Sequence, residues 1–589
     1  MWNARNTIRV TGTLTLLVYL QILGFSPGFA SDVHAVYSPI LQVLLLFAAA
    51  FGAYVITARC IFSSAAVSNW REVFLWGLVF RAVMWPSLPI QEVDFCRYVW
   101  DGAVSYKGID PYQFSPSQVI AAAQYPTSVI RDSDLRHLVR EYQQREGLRQ
   151  IANRVHYGSL TTPYPPVSQA VFAFAHVFCP QDASEWTFTL TFKAIILLFD
   201  AATAIALMAI LRFLGYSQSL VVLYWWCPLV IKEFANSGHL DSIAVFFVVA
   251  SFYFLLKACF RPKATDAKPR EAMLANDNAA LTLVYSIASA GLLACGVGAK
   301  LFPLVLAPLW AVTLFRRNKY ECLLPIVVFA ITTVTVCWPM FAKTQFAQQH
   351  LAQQDATARS KSQSSIDTPE VTSVNPSGIE AFYRYWEIND LVFLFVVENL
   401  KPASQVADQP TAWFVVTSES WRATNHKIWQ KRLGIDKDEE VAFVLTRRLL
   451  AGIFCIAVAG ICVFVFRNPT QENILTAVFL TLAWLWFLSP TQNPWYWTWA
   501  IPFLPFMRNR AWIAVSGLAL IYYLRFWFKA HFVYTTVLST AYRGLLFFDF
   551  IMPWVEFGPW LLVLILMWLR NQKIRSEKSV RAEAGGTTT

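Results

Sequence analysis

The stretch LTLVYSIASAGLLACGVGAKLFPLVLAPLWAVTLFRRNK, residues 281–319, decides the fold class. Two apolar runs flank a single charged residue, Lys300, and the second run stops at Arg316–Arg317–Asn318–Lys319. A helix rises 1.5 Å per residue, so roughly 20 apolar residues cross the hydrocarbon core of a bilayer. The stretch reads as a transmembrane hairpin with Lys300 at its turn and a basic loop where it ends.

The same pattern recurs along the chain. About fourteen spans of this kind begin near Ile8, Pro39, Phe74, Trp186, Leu220, Asp241, Leu281, Leu301, Cys322, Phe443, Ile474, Trp495, Trp512 and Trp560. Composition agrees: 56% of residues are hydrophobic and 14% charged, against roughly 25% charged in soluble domains. Helices that are apolar all round are stable only where lipid is the solvent. The run from Thr11 to Phe25 is followed by no small-residue cleavage site, so it reads as an uncleaved first span. No internal repeat of the kind that marks many transporters is visible. The expected fold is an all-α polytopic membrane protein, one transmembrane domain over residues 1–569. A basic cytoplasmic tail over residues 570–589 is expected to be disordered.

Short loops set the orientation. The basic ones are Arg59 to Arg71, Arg212, Arg261 to Arg270, Arg316 to Lys319, Arg467, Arg508 to Arg510 and Arg570 to Arg581. With fourteen spans, all of them fall on one side together with both termini. The positive-inside rule makes that side cytoplasmic. The net charge of +11 is thus spread over loops, not gathered on one basic face, which argues against nucleic acid as a partner. The ten Cys show no spacing for zinc or a disulfide framework. Two long segments, about 89–185 and 341–441, then lie outside. Each carries an apolar piece too short to span, Val167 to Phe178 and Leu391 to Val397, which reads as a juxtamembrane helix. The stretch from Thr344 to Ser377, rich in Gln, Ser, Thr and Ala, is expected to be mobile.

The unusual polar residues cluster at the outer ends of the spans. The first outer loop opens QEVDFCRYVWDGAVSYKGIDPYQFSP, residues 91–116, with Glu92, Asp94, Arg97, Tyr98, Trp100, Asp101 and Tyr112. Tyr164 lies in TTPYPPVSQ, His239 and Asp241 in GHLD, Lys300 in GAKLFP, Trp386 and Asn389 in YRYWEIND, and Asn493, Trp495 and Tyr496 in SPTQNPWYWTW. Arg447 and Arg448 open the tenth span from outside. Each has a bland alternative. The acids serve as loop solvation or helix caps, PYPP as a rigid turn, Lys300 and the arginines as snorkelling cations, and Trp495 to Trp499 as an interfacial aromatic belt. Jointly they point elsewhere, because ionisable groups in a membrane are costly and normally face a cavity or a partner. A transporter would place them near the midplane; one-sided placement suits an enzyme acting on a lipid-borne substrate. Cleaving a sugar–phosphate bond leaves an anion that Lys300, Arg447, Arg448 and, more weakly, Arg97 and His239 can stabilise. A carboxylate can take the proton of an acceptor hydroxyl. No carboxylate cluster argues for a divalent cation, and that question stays open. A lipid or glycan transporter without covalent transfer is the alternative reading.

The ordered set DFCRYVWDG…KGIDPY, PYPP, GHLD, the hairpin Lys, WEIND and SPTQNPWYWTW, spread over residues 91–505, resembles bacterial GT-C glycosyltransferases. It is most similar to the polyprenyl-phosphate-mannose-dependent mannosyltransferases. The resemblance implies a sugar, mannose above all, moved from a polyprenyl-phosphate donor to a lipid-linked or surface glycan acceptor at the outer leaflet of the cell membrane, with inversion at the anomeric carbon. It also implies that Asp94 is the essential loop acid with Asp101 second, and that His239 and Asp241 match the family's His-x-Asp. The sequence departs in one place: Val93 precedes Asp94 and the nearest acid is Glu92, so the base stays open between Asp94 and Glu92.

Overall fold

A computed structural model describes residues 4–63, 69–261, 279–360, 378–403, 410–435 and 438–585. The chain is all-helical among these residues, with only isolated bridges in place of strands. Ten helices are long and apolar enough to cross a membrane: Ala4–Phe29, Ala35–Ser63, Glu185–Phe213, Asp241–Cys259, Ala279–Ala299, Leu323–Phe341, Glu440–Arg467, Gln471–Leu488, Trp512–His531 and Gly544–Met567. The protein is therefore a multi-pass membrane protein.

Four of the expected spans are short or broken. Trp70–Met84 has 15 residues. Residues 218–236 break into four short helices, with Pro228 at one junction and a π-helical turn at Ile231–Asn236. Residues 302–317 begin as a 3-10 helix carrying Pro303, and residues 494–506 break at Pro502 and Pro505. Proline removes a backbone donor and clashes with the preceding turn. Irregular backbone is tolerated at membrane depth only inside protein. Residues 221–245 and 491–507 are buried almost without exception.

Contacts sort the bundle into two ends. At one, Arg9 bonds Glu72 (2.9 Å), the Asn69 N–H meets Ser219 Oγ (3.1 Å), Gln471 donates to the Arg261 carbonyl (3.2 Å) and Arg316 to that of Phe466 (3.1 Å). At the other, Asn236 binds Ser87 and Leu88 (2.7 Å each), Ser168 donates to the Ala299 carbonyl (2.7 Å), and Lys300 meets Asp241. Each of the four short segments joins one set to the other; the last returns alongside Gln471–Leu488, with Thr476 bonded to the Phe506 carbonyl (3.2 Å). Among the described residues, Arg261 and Arg316 of the basic loops lie at the first end, and Asp241 and Lys300 of the polar motifs at the second.

Small and hydroxyl-bearing residues let helices approach in lipid. Ser251 and Ser289 each donate to the other's carbonyl (2.8 and 2.9 Å), and Trp310 Nε1 adds a bond to Ser289 Oγ (2.9 Å), locking the Asp241 helix to the Ala279 helix. Arg81 meets Asp200 at 2.5 Å, with Tyr224 donating to the same carboxylate at 2.7 Å. Both charges are buried, and a buried charge is tolerated only when paired.

Some boundaries differ from the sequence expectation. The last span begins at Gly544, well before Trp560, and its helix continues through Gly585, where a disordered tail was expected. Residues 570–585 are rich in Ala, Glu, Lys and Arg, strong helix formers. Thr344 to Ser360 extends the Leu323 helix; the remainder of that Gln/Ser-rich stretch lies outside the described residues. The short apolar pieces are helices, Pro166–Val177 and Val392–Leu400.

Candidate functional site

The Asp94–Tyr106 helix starts at Asp94, where a carboxylate favours the helix dipole. Residues 94, 98, 101 and 105 share a face by the 3.6-residue period. The helix is held by two devices. Gly102 lets it touch the Pro166–Val177 helix: a Cβ there would lie 2.6 Å from the Phe172 carbonyl oxygen. Asn236 of the π-turn accepts from the Ile90 N–H (2.9 Å) and so fixes the approach to Glu92.

Glu92 caps this start, accepting from the Val93 and Asp94 N–H groups (2.9 and 3.0 Å). Its other oxygen lies 3.5 Å from His239 Nε2, and Glu233 lies 3.3 Å from the same nitrogen. The Tyr98 hydroxyl is 3.4 Å from His239 Nδ1, and Trp495 stacks on the imidazole at 4.3 Å. Gly238, at φ +69°, makes the turn that presents His239. Lys300 Nζ binds both oxygens of Asp241 (2.7 and 2.8 Å) and sits over the Tyr496 ring at 4.3 Å. Trp499 donates to Asp241 as well (2.5 Å). One N–H of the ammonium remains for a third acceptor, and Lys300 keeps 16% of its side chain exposed.

Charges and burial divide the two acids. Burial and then the Glu92 charge push Asp94 up to about 7, against the opposing pull of His239 and Lys300. Burial also acts to raise Glu92, but the hydrogen bond and charge of His239, the Lys232 charge and the Asp94 N–H outweigh it and hold Glu92 down to about 2. His239 is disfavoured as a cation by burial yet raised above its ordinary value by Glu92, Glu233 and Asp94. Burial lowers Lys300 while Asp241 opposes the shift. The arrangement is a carboxyl poised near neutrality beside two cationic groups, walled by Tyr98, Tyr164, Trp495 and Tyr496.

The structure thus brings together Glu92, Asp94, Tyr98, His239, Asp241, Lys300, Trp495 and Tyr496. Tyr164 packs edge-on against Tyr98 (5.2 Å), and Tyr112 donates to the Tyr164 carbonyl (2.7 Å). Asp101 is buried two turns along, accepting from Gln169 (3.3 Å); burial raises it to about 6 against Arg97. Trp100 is core. Arg97 is committed to the Leu160 and Tyr157 carbonyls (3.1 and 2.9 Å), so it holds a loop and is not aimed at the cluster. Trp386 packs on Tyr157 (5.3 Å). Asn389, at φ +53°, sits where residue 388 pairs with 490–492, and so braces the turn that carries Asn493. Asn493 itself accepts Trp486 Nε1 at its carbonyl (3.0 Å).

Arg448 is exposed, and the Arg447 guanidinium lies over the Phe443 ring (4.7 Å). Trp495, Trp497 and Trp499 are buried, not an interfacial belt; their partners are His239, Ser516 and Asp241. Sequence reasoning also passed over Lys232 and Glu233, which are fully buried 3.3 Å apart and share the Tyr523 hydroxyl. Two adjacent charges inside the apolar run CPLVIKEFANSGHLD were the available signal. Comparisons with protein-family models, curated proteins and solved structures found no match.

Proposed function

We propose that this chain is a GT-C-type membrane glycosyltransferase. It moves a sugar, mannose in the reading the resemblance favours, from a polyprenyl-phosphate donor to a lipid-linked or surface glycan acceptor. The ten long helices and four shorter segments together cross the membrane fourteen times, with the basic end cytoplasmic and the cluster at the outer leaflet. The observation that carries the reading is the cluster's geometry: Lys300 bound to Asp241 and His239 held by Glu92, at the start of the helix that carries Asp94. Burial and the Glu92 charge push the Asp94 carboxyl up to about 7. In the reaction the acceptor hydroxyl gives its proton to Asp94, its oxygen bonds to the anomeric carbon, and the sugar–phosphate bond breaks. The electron pair leaves on the phosphate, where the free N–H of Lys300 and the charge of His239 stabilise it. Glu92, ionised and tied to His239, keeps that imidazole cationic. Tyr164, half-buried beside Tyr98, offers an aromatic face to the apolar side of a sugar ring.

The test is a membrane assay with radiolabelled polyprenyl-phosphate mannose. Label appearing covalently on a new glycolipid or glycan supports transfer. Label that changes leaflet and stays on its original lipid overturns it in favour of a transporter.

A further inference from the structure

Two aromatic side chains from distant stretches meet close to the Asp94 helix. Tyr157 lies between the Glu146–Asn153 and Pro166–Val177 helices, and Trp386 just after Gly378–Tyr385. Their rings are 5.3 Å apart at 45°. Both residues are anchored through the backbone. The Tyr157 carbonyl accepts from Arg97 (2.9 Å) and from the Leu160 N–H (3.0 Å), and Arg97 stands about one turn after Asp94 on the same helix. Tyr157 takes φ +52°, a conformation that a bulky side chain rarely adopts. Trp386 stands two residues before the pairing of Ile388 with Pro490 and Gln492 (2.8 and 3.0 Å), and Phe382 meets it edge-on (4.8 Å). The pair is nonetheless open: Tyr157 is 49% exposed and Trp386 is half-buried.

Polar groups flank the rings. Arg525 Nε donates to Asp549 (3.1 Å), both side chains are partly exposed, and Tyr157 lies within range of the Arg525 charge. His156, whose ring is 4.1 Å from that of Tyr157, is within range of Glu92 and Lys529. A pyranose ring carries polarised C–H bonds on one face and hydroxyls round its edge. The C–H face is attracted to the electron-rich face of an aromatic ring. A hydroxyl both donates and accepts, so it bonds to guanidinium and carboxylate alike. The other ligands that an aromatic pair takes fit less well. A cationic ligand would meet the positive charges of Arg525 and Lys529, and an acyl chain would leave the Arg525–Asp549 pair without use.

We propose that Tyr157 and Trp386, flanked by Arg525 and Asp549, form a stacking subsite for a hexopyranose unit of a glycan, the acceptor in the reaction proposed above. The acceptor role rests on that reading; the sugar binding does not. The experiment is saturation-transfer difference NMR of the full-length protein in detergent with the methyl glycosides of mannose, glucose, galactose and N-acetylglucosamine, run beside the transfer assay. At least one glycoside is expected to bind, with saturation strongest on the C–H protons of one ring face. Tyr157→Ala and Trp386→Ala each weaken that binding about fivefold, the worth of one aromatic contact. Tyr157→Phe, which keeps the ring, and Tyr125→Ala, at an exposed tyrosine elsewhere, bind as wild type. Absence of binding by all four glycosides overturns the proposal, as does wild-type affinity in Tyr157→Ala and Trp386→Ala. A loss in Tyr157→Phe equal to that in Tyr157→Ala also overturns it, by showing that the ring is not what the sugar meets. A chain that binds sugar through both rings and transfers none keeps the subsite and loses the glycosyltransferase reading. A chain that transfers sugar and binds glycosides unchanged in both alanine variants keeps that reading and loses the subsite.

Discussion

Asp94 and Glu92 stand two residues apart and are driven to opposite ends of the carboxylate range, because only Glu92 holds His239. An acid that accepts a proton must be ionised, so transfer is expected to rise with pH and level off above about 7. Below that value kcat/KM should fall tenfold per pH unit as Asp94 protonates, while Glu92, at about 2, stays ionised throughout. A rate that is level across the neutral-to-acid range contradicts the assignment. Asp94→Asn removes the acceptor and is expected to lower transfer by about two to four orders of magnitude with unchanged thermal unfolding in detergent. Wild-type activity in that variant would pass the role to Glu92.

Between elements, the pair that joins the Asp241 helix to the hairpin turn is Lys300 with Asp241. Removing Lys300 leaves a fully buried carboxylate with only Trp499 donating to it among the described residues. Lys300→Met is therefore expected to cost about 3–5 kcal/mol in unfolding free energy. Lys300→Met/Asp241→Asn, which strips both charges, should recover most of the stability and none of the transfer. A double variant that transfers sugar excludes Lys300 from stabilising the phosphate. Gly102 sets the spacing between the helix carrying Asp94 and the Pro166–Val177 helix. An added methyl overpacks that contact at a cost of roughly 1–3 kcal/mol, so Gly102→Ala should lower both melting temperature and transfer. Gly291, where a Cβ meets nothing within 4 Å, is the matched control, and Gly291→Ala is expected to be neutral.

On the scale of the molecule, hydropathy made the lipid-facing helices legible, because each turns a long apolar surface outward. The segments expected to span from near Phe74, Leu220, Leu301 and Trp495 are short or broken helices, a form that hydropathy does not read. Residues 218–236 and 494–506 are wrapped by other helices, and protein replaces lipid around their proline breaks and π-turn. The site was legible where a motif sat at a span end, as with GHLD and the Lys300 hairpin, since a charge beside an apolar run is conspicuous. Lys232 and Glu233 were hidden by lying inside one. For Arg447 and Arg448 the sequence gives depth along a helix and not the direction that helix faces. The whole account depends on the cluster facing away from the basic loops. In a chain whose ten native cysteines are replaced, Ser117→Cys in the first outer loop and Tyr320→Cys beside Arg316–Arg317 are both at exposed positions. A membrane-impermeant maleimide applied to intact cells is predicted to label Ser117→Cys, and to label Tyr320→Cys only after permeabilisation. The reverse pattern, or labelling of both from one side, would contradict it.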